Sequence, residues 1–325
     1  MSILANKSTR VLVQGITGTQ ASFHVKRSMD YGTKIVAGTS PKSGGSEHLG
    51  VPVFTNIKEA KENIDFDATV MFVPATALKN AVKEVVEAEI PLAVSIADGV
   101  PLHDMLEIKA MLNGSRTTLI GPDTPGLITP QEARLGIFPE NIHHKGCIGI
   151  VSRASTLTYE AVIETNAANH GQSTVVGIGD DMIIGTDYRK IIQLFHEDDE
   201  TKAIVLIGKS DSLYEQIAAE YYSSLQNKKP IIAFVAGEAL PFGHSMGYAG
   251  DIITGGRITV QDKKRLMRES GMTVVDNVDQ IHQALFDLGL SHAVVECCNK
   301  FDIAAALYKM RKNFRRTQRL MQQLL

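Results

Sequence analysis

The segment that decides the fold is Arg10-Val11-Leu12-Val13-Gln14-Gly15-Ile16-Thr17-Gly18-Thr19-Gln20-Ala21, in which an apolar run passes into a glycine turn. The apolar run predicts a buried strand, and residues 22–31 follow the turn with a helical pattern. Glycines at such a turn let the backbone approach a ligand, and the start of the helix offers free N–H groups to a phosphate. The segment therefore predicts a ligand-binding βα unit, although a purely structural glycine turn has the same pattern.

The alternation of short β-branched runs and helical patterns continues along the chain, which is typical of parallel βαβ units. In the first half we predict strands at residues 10–14, 34–38, 68–73, 92–96 and 118–120, with helices at 22–31 and 77–88. In the second half we predict strands at residues 147–151, 173–178, 203–207, 230–235 and 272–275, with helices at 159–169, 213–224 and 260–270. The predicted fold class is α/β, with a Rossmann-like domain followed by a flavodoxin-like domain.

The predicted domain boundary lies in residues 124–145, which hold three prolines and little periodicity. We expect a first domain over residues 1–125, a linker over 126–145, a second domain over 146–290 and a basic amphipathic C-terminal helix over 291–325. That helix has an apolar seam made by Ile303, Leu307, Met310, Phe314, Met321 and Leu324. Its other faces are basic, so it either docks on its own domain or contacts a protein partner, acidic lipid or nucleic acid.

Composition predicts a soluble protein of about two domains, because the chain has 325 residues, a net charge of −3 and 44% hydrophobic residues. The small net charge gives no reason to expect wholesale binding to nucleic acid or membranes. The N-terminus lacks the apolar core of a signal peptide, and no apolar run is long enough to span a bilayer. Cys147, Cys297 and Cys298 are too few for a disulfide framework and lack zinc-ligand spacing, which predicts a cytoplasmic location.

The end of the second predicted strand argues against a nicotinamide dinucleotide as the ligand. NAD binding favours an Asp or Glu there, which accepts the ribose hydroxyls. This chain instead has Gly38-Thr39-Ser40-Pro41-Lys42-Ser43-Gly44-Gly45, with one cation and no acid. A lysine and small hydroxyls suit a phosphorylated ribose such as that of coenzyme A, so an NAD-dependent reductase is the poorer interpretation.

Motifs spread along the chain resemble those of the succinate–CoA ligase α subunit family. They include Gln14-Gly15-x-Thr17-Gly18-x-Gln20, His48-Leu49-Gly50-x-Pro52-Val53-Phe54, Gly149-Ile150-Val151-Ser152-Arg153 and Thr156-Leu157-Thr158-Tyr159-Glu160. The likeness runs from Ser2 to about Leu288, and the basic tail lies beyond it. By this resemblance, coenzyme A would be held by Thr17, Gly18, Thr19, Gln20, Lys42, Ser43, Ile96, Ala97 and Asp98. The family's lysine falls at Ser43, next to Lys42, so the open alternative is a relic fold that binds nothing.

The family's active-site loop reads Met-Gly-His-Ala-Gly and carries a phosphohistidine, whereas this chain has Met246-Gly247-Tyr248-Ala249-Gly250. Neutral imidazole is nucleophilic near pH 7, but a phenol with a pKa of about 10 is almost wholly protonated there. Tyr248 is therefore expected to be inactive at the catalytic position. His244 lies four residues earlier and is the alternative relay, but its side chain would need a different direction and reach.

Other residues around the expected phosphoryl site also depart from the family. The family's Ser-Gly, whose helix receives the phosphohistidine, is Ala154-Ser155, and its Ile-Gly-Glu is Ile207-Gly208-Lys209. The family's Gly-Gly-Asp-Pro is Gly179-Asp180-Asp181-Met182, and an Asn-Cys at another expected helix entry is Asp123-Thr124. The two additional carboxylates are expected to repel a phosphoryl group. Adjacent Asp180 and Asp181 are weak evidence for a metal, so no metal site is predicted.

The resemblance implies a CoA-binding α-type subunit that is impaired in phosphoryl transfer and serves a regulatory or scaffold role. The alternative is an active acid–CoA ligase α subunit that uses a non-standard relay. In either case Tyr159 is the candidate substrate-binding residue, although it also starts an apolar helix face and fits a core position. The chain supplies no ATP-grasp domain, so ATP or GTP with Mg would come through a β-type partner, and the substrate would be a small carboxylate.

Overall fold

Two seven-stranded sheets with flanking helices make up the residues that the computed structural model describes, 2–238 and 259–290. In the first sheet the strand order is β3-β4-β2-β1-β5-β6-β7, and only the β3–β4 pair is antiparallel. Its strands are β1 (Arg10–Gln14), β2 (Lys34–Thr39), β3 (Ser46–His48), β4 (Val51–Phe54), β5 (Ala68–Met71), β6 (Leu92–Ser95) and β7 (Thr118–Ile120). Its helices are α1 (Thr19–Asp30), α2 (Ile57–Asn63), α3 (Leu78–Glu87) and α4 (Leu102–Leu112).

The second sheet has the order β14-β13-β12-β10-β11-β8-β9. Its strands are β8 (Gly126–Thr129), β9 (Ala133–Gly136), β10 (Lys145–Ser152), β11 (Gln172–Gly177), β12 (Ala203–Gly208), β13 (Ile231–Val235) and β14 (Thr273–Val274). Its helices are α5 (Ser155–Ala167), α6 (Tyr188–Glu197), α7 (Tyr214–Ser224), α8 (Val260–Glu269) and α9 (Ile281–Asp287). Strands β10 to β14 are parallel, and β8 and β9 add an antiparallel hairpin at the edge.

Both strand orders confirm the predicted fold class. Without the short edge strand β3, the first sheet has the dinucleotide-fold order β4-β2-β1-β5-β6-β7, in which successive strands are added on opposite sides of the β1–β5 junction. The parallel part of the second sheet, β11-β10-β12-β13-β14, has the flavodoxin-like order with its reversal between β10 and β12. Ligands of such sheets bind beyond the carboxyl ends of the strands at the reversal, so each sheet defines one candidate position.

The segment 126–145, predicted as a linker, instead carries part of the second sheet. Strand β8 pairs antiparallel with β11, and β9 pairs with β8 in a register that joins Leu127 to Leu135. The residues of both strands are buried. The sequence of this stretch shows turn residues and prolines but no clear periodicity. Its two strands have only four residues each, which is too short to show a period of two.

The two halves share one continuous apolar core. Val11, Val70 and Val94 of the first sheet belong to the same buried cluster as Leu127 and Val176 of the second. At the joint, Gly179 has a φ of +108°, and a Cβ there would lie 2.2 Å from the carbonyl oxygen of Pro122. Only glycine allows the two backbones to come this close, so there is no space for a side chain between the halves at this point.

Arg134 ties the edge hairpin to helix α1. Its side chain is 1% exposed, and Nη1 donates to the Ser28 hydroxyl at 2.9 Å and to the His24 carbonyl at 3.0 Å. Its Nε donates to the carbonyl of Phe138 at 2.6 Å. One buried guanidinium therefore joins acceptors from both halves of the chain.

Two predicted features fall outside the described residues: the loop with Tyr248 and His244, and the C-terminal helix at 291–325. In the part of the chain that is described, no helix is long and apolar enough to cross a membrane.

Candidate functional site

The first candidate site is the turn between β1 and α1. Gly15 has a φ of +77°, and a Cβ there would lie 2.4 Å from the carbonyl oxygen of Phe72, so the turn requires glycine. The Gly15 N–H donates to the Thr39 carbonyl at 2.9 Å, which holds the turn against the end of β2. Beyond it, Thr17, Gly18, Thr19 and Gln20 are all exposed. The turn thus presents the four predicted residues to solvent at the carboxyl edge of the sheet.

The start of α1 has the features that an anion requires. Gly18 is the N-cap residue, no side chain caps the helix, and the first turn holds no acidic residue. The first N–H groups of a helix have no intrahelical acceptor, and the helix dipole places partial positive charge at this end. The residues present therefore fit a phosphate group.

The end of β2 lies beside this helix start. The Thr17 hydroxyl is 3.1 Å from the Ser40 hydroxyl. Ser40 precedes the exposed Lys42 by two residues. Ser43 continues the same turn, since its N–H donates to the Ser40 carbonyl at 3.1 Å. Lys42 is the only cation of residues 38–45, a stretch that holds no acid.

The third predicted segment, Ile96, Ala97 and Asp98, follows β6 at the same edge of the sheet. Strand β5 separates β6 from β1, so residues 17–20 and 96–98 lie on two sides of the end of β5. The Ala97 carbonyl accepts an N–H from Asp123 at 2.7 Å, and the Asp98 side chain is exposed. The fold therefore brings all three predicted segments to one edge.

The second candidate site lies where β10 and β12 end, and a fully buried arginine organises it. Arg153 donates to the Asp211 carboxylate at 3.0 Å and to the Ser212 hydroxyl at 2.6 Å. It also donates to the carbonyls of Asp180 and Asp181. Burial alone would lower the pKa of Arg153, but Asp211 and Glu215 outweigh it and the net shift is upward. Arg153 thus connects the loops after β11 and β12.

Lys209 follows β12 and forms an ion pair that the sequence did not suggest. Its Nζ lies 2.6 Å from Oδ1 of Asp180, and the two side chains are only 6% and 12% exposed. Both residues are departures from the family motif, and they neutralise each other. The expectation that the acid at position 180 repels a phosphoryl group therefore needs correction, because its charge is compensated within the chain.

Asp123 lies in the joint between the two halves among three other carboxylates. Burial, followed by Asp180, Asp181 and Asp98, raises the pKa of Asp123 to about 7, while Lys209 opposes the shift. Asp123 has a φ of +52° and leads through Pro125 into β8, so the expected helix entry at this position is wrong. The Asp123 carboxyl therefore binds a proton at a higher pH than an ordinary carboxyl does.

Asp181 links the two halves through the backbone of the first. Its Oδ2 accepts the N–H of Val100 at 3.4 Å, next to the segment that contains Asp98. Burial raises the pKa of Asp181, although the N–H groups of Val100 and Gly99 lower it. The two candidate sites therefore border one another across this joint.

Helix α5 begins at Ser155, and its residue Tyr159 packs against the apolar core of the second half. Ala154 is the N-cap of α5 and provides no side-chain cap, as its sequence predicts. Tyr159 packs edge-on against Phe138, with ring centroids 5.9 Å apart, and burial raises its pKa. These are the contacts of a core residue, and a substrate-binding role for Tyr159 remains a prediction.

A second buried ion pair supports the loop after β12. Lys263 Nζ lies 2.8 Å from Glu215 Oε2 and donates to the carbonyl of Lys209 at 2.7 Å. Sequence reasoning did not single out Arg153, Glu215 or Lys263. A charged residue directly after a buried strand end, as Arg153 and Lys209 are, is the signal that points to this network. Within residues 2–238 and 259–290, no group of three or more His, Cys, Asp or Glu side chains could hold a metal ion.

Known protein families match both halves. Residues 6–99 match the family described as CoA binding domain, and residues 151–274 match the family described as CoA-ligase. Succinate–CoA ligase [ADP-forming] subunit alpha of Staphylococcus epidermidis is 40% identical over 296 residues, which cover 91% of this chain and 98% of that protein. The protein of the same name from Staphylococcus aureus matches with the same identity and coverage.

Solved structures show the same fold in longer chains. ATP citrate lyase from Methanothrix soehngenii, in complex with citrate and coenzyme A, matches with a TM-score of 0.78 and 21% identity, over 94% of this chain and 55% of that chain. The apo form of dinucleotide-forming acetyl-coenzyme A synthetase 1 from Ca. Korarchaeum cryptofilum matches with a TM-score of 0.69 and 18% identity, over 85% and 60%. This chain therefore spans less than two thirds of each solved chain, and the likeness concerns the fold alone.

Proposed function

This chain belongs to the family of succinate–CoA ligase α subunits, and from that membership we propose that it is a CoA-binding α-type subunit impaired in phosphoryl transfer. The family is shown by 40% identity over 98% of the length of a curated α subunit. The observation that carries the proposal is the joint departure of residues 180, 209 and 248 from the family motifs, two of which form a buried ion pair. We propose a regulatory or scaffold role for the chain.

Coenzyme A binding is supported by the edge of the first sheet. The uncapped start of α1 with Thr17–Gln20 would hold the pyrophosphate, and Lys42 with Ser43 would face the phosphorylated ribose. Ile96, Ala97 and Asp98 would border the same ligand from the end of β6. When bound, coenzyme A supplies a thiol that forms a thioester with an acyl group.

Loss of phosphoryl transfer is supported at two positions. A phenol at position 248 is almost wholly protonated near pH 7 and is a poor nucleophile towards a phosphoryl group. The buried Lys209 ammonium forms an ion pair with Asp180. The family has an acid at the position of Lys209 and a glycine at the position of Asp180. Because the two charges satisfy each other, they form a stable arrangement that differs from the family's phosphate loop.

Partners and location remain proposals that follow from the family. A β-type subunit with an ATP-grasp domain would bring ATP or GTP with Mg. A small carboxylate would accept the phosphoryl group and then donate its acyl group to the CoA thiol, with release of phosphate. The C-terminal helix at 291–325 is a candidate for partner binding, and the cytoplasmic location predicted from cysteine usage is kept as a prediction.

The proposed impairment is tested by phosphoenzyme formation. The chain with its β-type subunit is incubated with labelled ATP and Mg, and we expect no phosphoprotein on this chain. Tyr248→His alone is expected to stay unlabelled, whereas Tyr248→His combined with Lys209→Glu and Asp180→Gly restores the family residues together and is expected to give measurable label. Label on the unmodified chain that disappears in His244→Ala would establish the active-ligase alternative and overturn the impairment.

Coenzyme A binding is tested separately by calorimetry on the full chain. Lys42→Ala should weaken binding by roughly 10- to 150-fold, since a charge-assisted contact to phosphate contributes about 1.5–3 kcal/mol. Lys83→Ala is the matched control, because Lys83 is an exposed lysine that pairs with Glu87 on helix α3. Absence of saturable binding to the unmodified chain would favour a relic fold.

A further inference from the structure

A cavity of about 820 Å³ lies between the two halves, away from both candidate sites. One wall comes from the end of α4 and the start of β7, with Lys109, Asn113 and Thr118. The other comes from α6 and α7, with Arg189, Lys190 and Tyr221. The volume falls in the range of small-molecule sites, which are often found between domains.

The charge in this cavity is unbalanced towards the positive. Asp187 is its single carboxylate, and Arg189 engages it with Nη2 at 2.6 Å and Nε at 3.0 Å. Asp187 also caps α6 by accepting the backbone N–H of Arg189. Among the described residues, no carboxylate lies within ion-pair distance of Lys109 or Lys190, so neither ammonium group forms an ion pair there.

The acceptor that contacts the Lys109 ammonium group is neutral, and Asp187 acts on that group only from beyond ion-pair distance. Lys109 Nζ donates to the carbonyl of Gly185 at 2.9 Å, which is a neutral acceptor from the opposite wall. Removal of water by the walls lowers the pKa of Lys109. A cation that bridges two domains through a neutral carbonyl would be stabilised by an anion in the cavity.

We propose that this cavity binds a small molecule with two or more phosphate groups, held by Lys109 and Lys190 from opposite walls. Asn113 and Thr118 add neutral donors, and Tyr221 supplies an aromatic surface. Helix α4 ends at this cavity, and the partial negative charge of its last carbonyl groups repels an anion. The electrostatic attraction for the phosphate groups therefore has to come from the two lysines. Because the ligand would touch both walls, binding would also restrain the two halves relative to each other.

The test uses inorganic pyrophosphate and the full chain in a Lys42→Ala background, which weakens the separate phosphate site at the end of β2. Calorimetry should show saturable binding that is weakened by about tenfold in Lys190→Ala and in Lys109→Ala. Lys190→Arg should keep most of the affinity, and Lys83→Ala should leave it unchanged. Lys190 is exposed, so its replacement tests the proposal even if loss of the Lys109–Gly185 contact disturbs folding.

Two outcomes would overturn the proposal. One is the absence of saturable pyrophosphate binding, and the other is binding that neither lysine variant changes. Citrate provides a third arm: if citrate binds with the same lysine dependence and pyrophosphate does not, the assigned phosphate chemistry is wrong. As an independent readout, pyrophosphate should protect Lys109 and Lys190, but not Lys83, from acetylation detected by mass spectrometry.

Discussion

Lys209 and Asp180 form a nearly buried ion pair, with Nζ and Oδ1 2.6 Å apart, between the loops that follow β12 and β11. Removal of one partner takes a close counter-charge away from a nearly buried group, and such losses cost about 3 kcal/mol. We expect Lys209→Ala and Asp180→Ala each to lower the free energy of unfolding in urea by about that amount.

The double variant Lys209→Ala with Asp180→Ala is the control for this pair. It should recover a large part of the lost stability, because no uncompensated charge remains. If the two single losses simply add in the double variant, the residues do not act as a pair.

Asp123 predicts a pH dependence of stability. Its pKa is raised to about 7 from an ordinary value near 4, so the folded state binds a proton more tightly than the unfolded state. Stability therefore falls as pH rises from about 4, and the loss is complete above about pH 7. Because the carboxyl is only half-buried and water screens it, the cost is on the order of 1–2 kcal/mol rather than the full value of the shift.

The matched variant for this effect is Asp123→Asn, since Asn also tolerates the positive φ at this position. The difference in unfolding free energy between Asn and Asp should grow in favour of Asn from pH 4 to 8. Chemical denaturation at a series of pH values measures it, and a constant difference would show that Asp123 is not the titrating group.

A comparison of alanine variants at Gly15 and Gly50 separates the cost of a positive φ from the cost of a steric clash with a neighbouring backbone. Gly15→Ala should destabilise the chain by roughly 3 kcal/mol, because it combines a strained positive φ with a Cβ placed 2.4 Å from the Phe72 carbonyl oxygen. Gly50→Ala is the control, with a φ of +79° and no atom within 4 Å of its Cβ, and should cost about 1 kcal/mol. Equal losses in thermal unfolding would mean that the contact with Phe72 is readily relieved.

Arg134 should be replaceable by neither alanine nor lysine. Arg134→Ala leaves the His24 and Phe138 carbonyls and the Ser28 hydroxyl without their buried donor, at a cost of about 3 kcal/mol. A lysine ammonium keeps the charge but does not reproduce the planar fork that reaches all three acceptors. Arg116→Ala, at an exposed arginine, should change the unfolding free energy by less than about 0.5 kcal/mol. Full stability of Arg134→Lys would refute this explanation.

The fold was predictable from sequence where a strand is a short, mostly buried apolar run. The strands at 10–14 and 118–120 begin and end where predicted, because their flanking residues change character sharply. Helix α6 was not predicted, although Asp187 is a good N-cap and Tyr188, Ile191, Ile192 and Phe195 have helical spacing. The hairpin of β8 and β9 was missed because antiparallel edge strands of four residues give too little pattern.

The candidate sites were predictable in position but not in charge balance. The glycine turn and the segments at 42–43 and 96–98 lie at the sheet edge that the parallel topology requires. The pairing of Lys209 with Asp180 was missed, since residues 29 positions apart give no sign in sequence that they touch. Each was interpreted separately as a change of charge, whereas the structure shows that the two changes cancel.

The contact between Gly179 and the Pro122 carbonyl has a practical consequence for recombining this protein with its relatives. The seam has no room for a side chain, so a hybrid that draws its halves from different parents matches only if both parents position these backbones alike. Exchange of one half alone should therefore succeed only between parents whose backbones coincide at this seam.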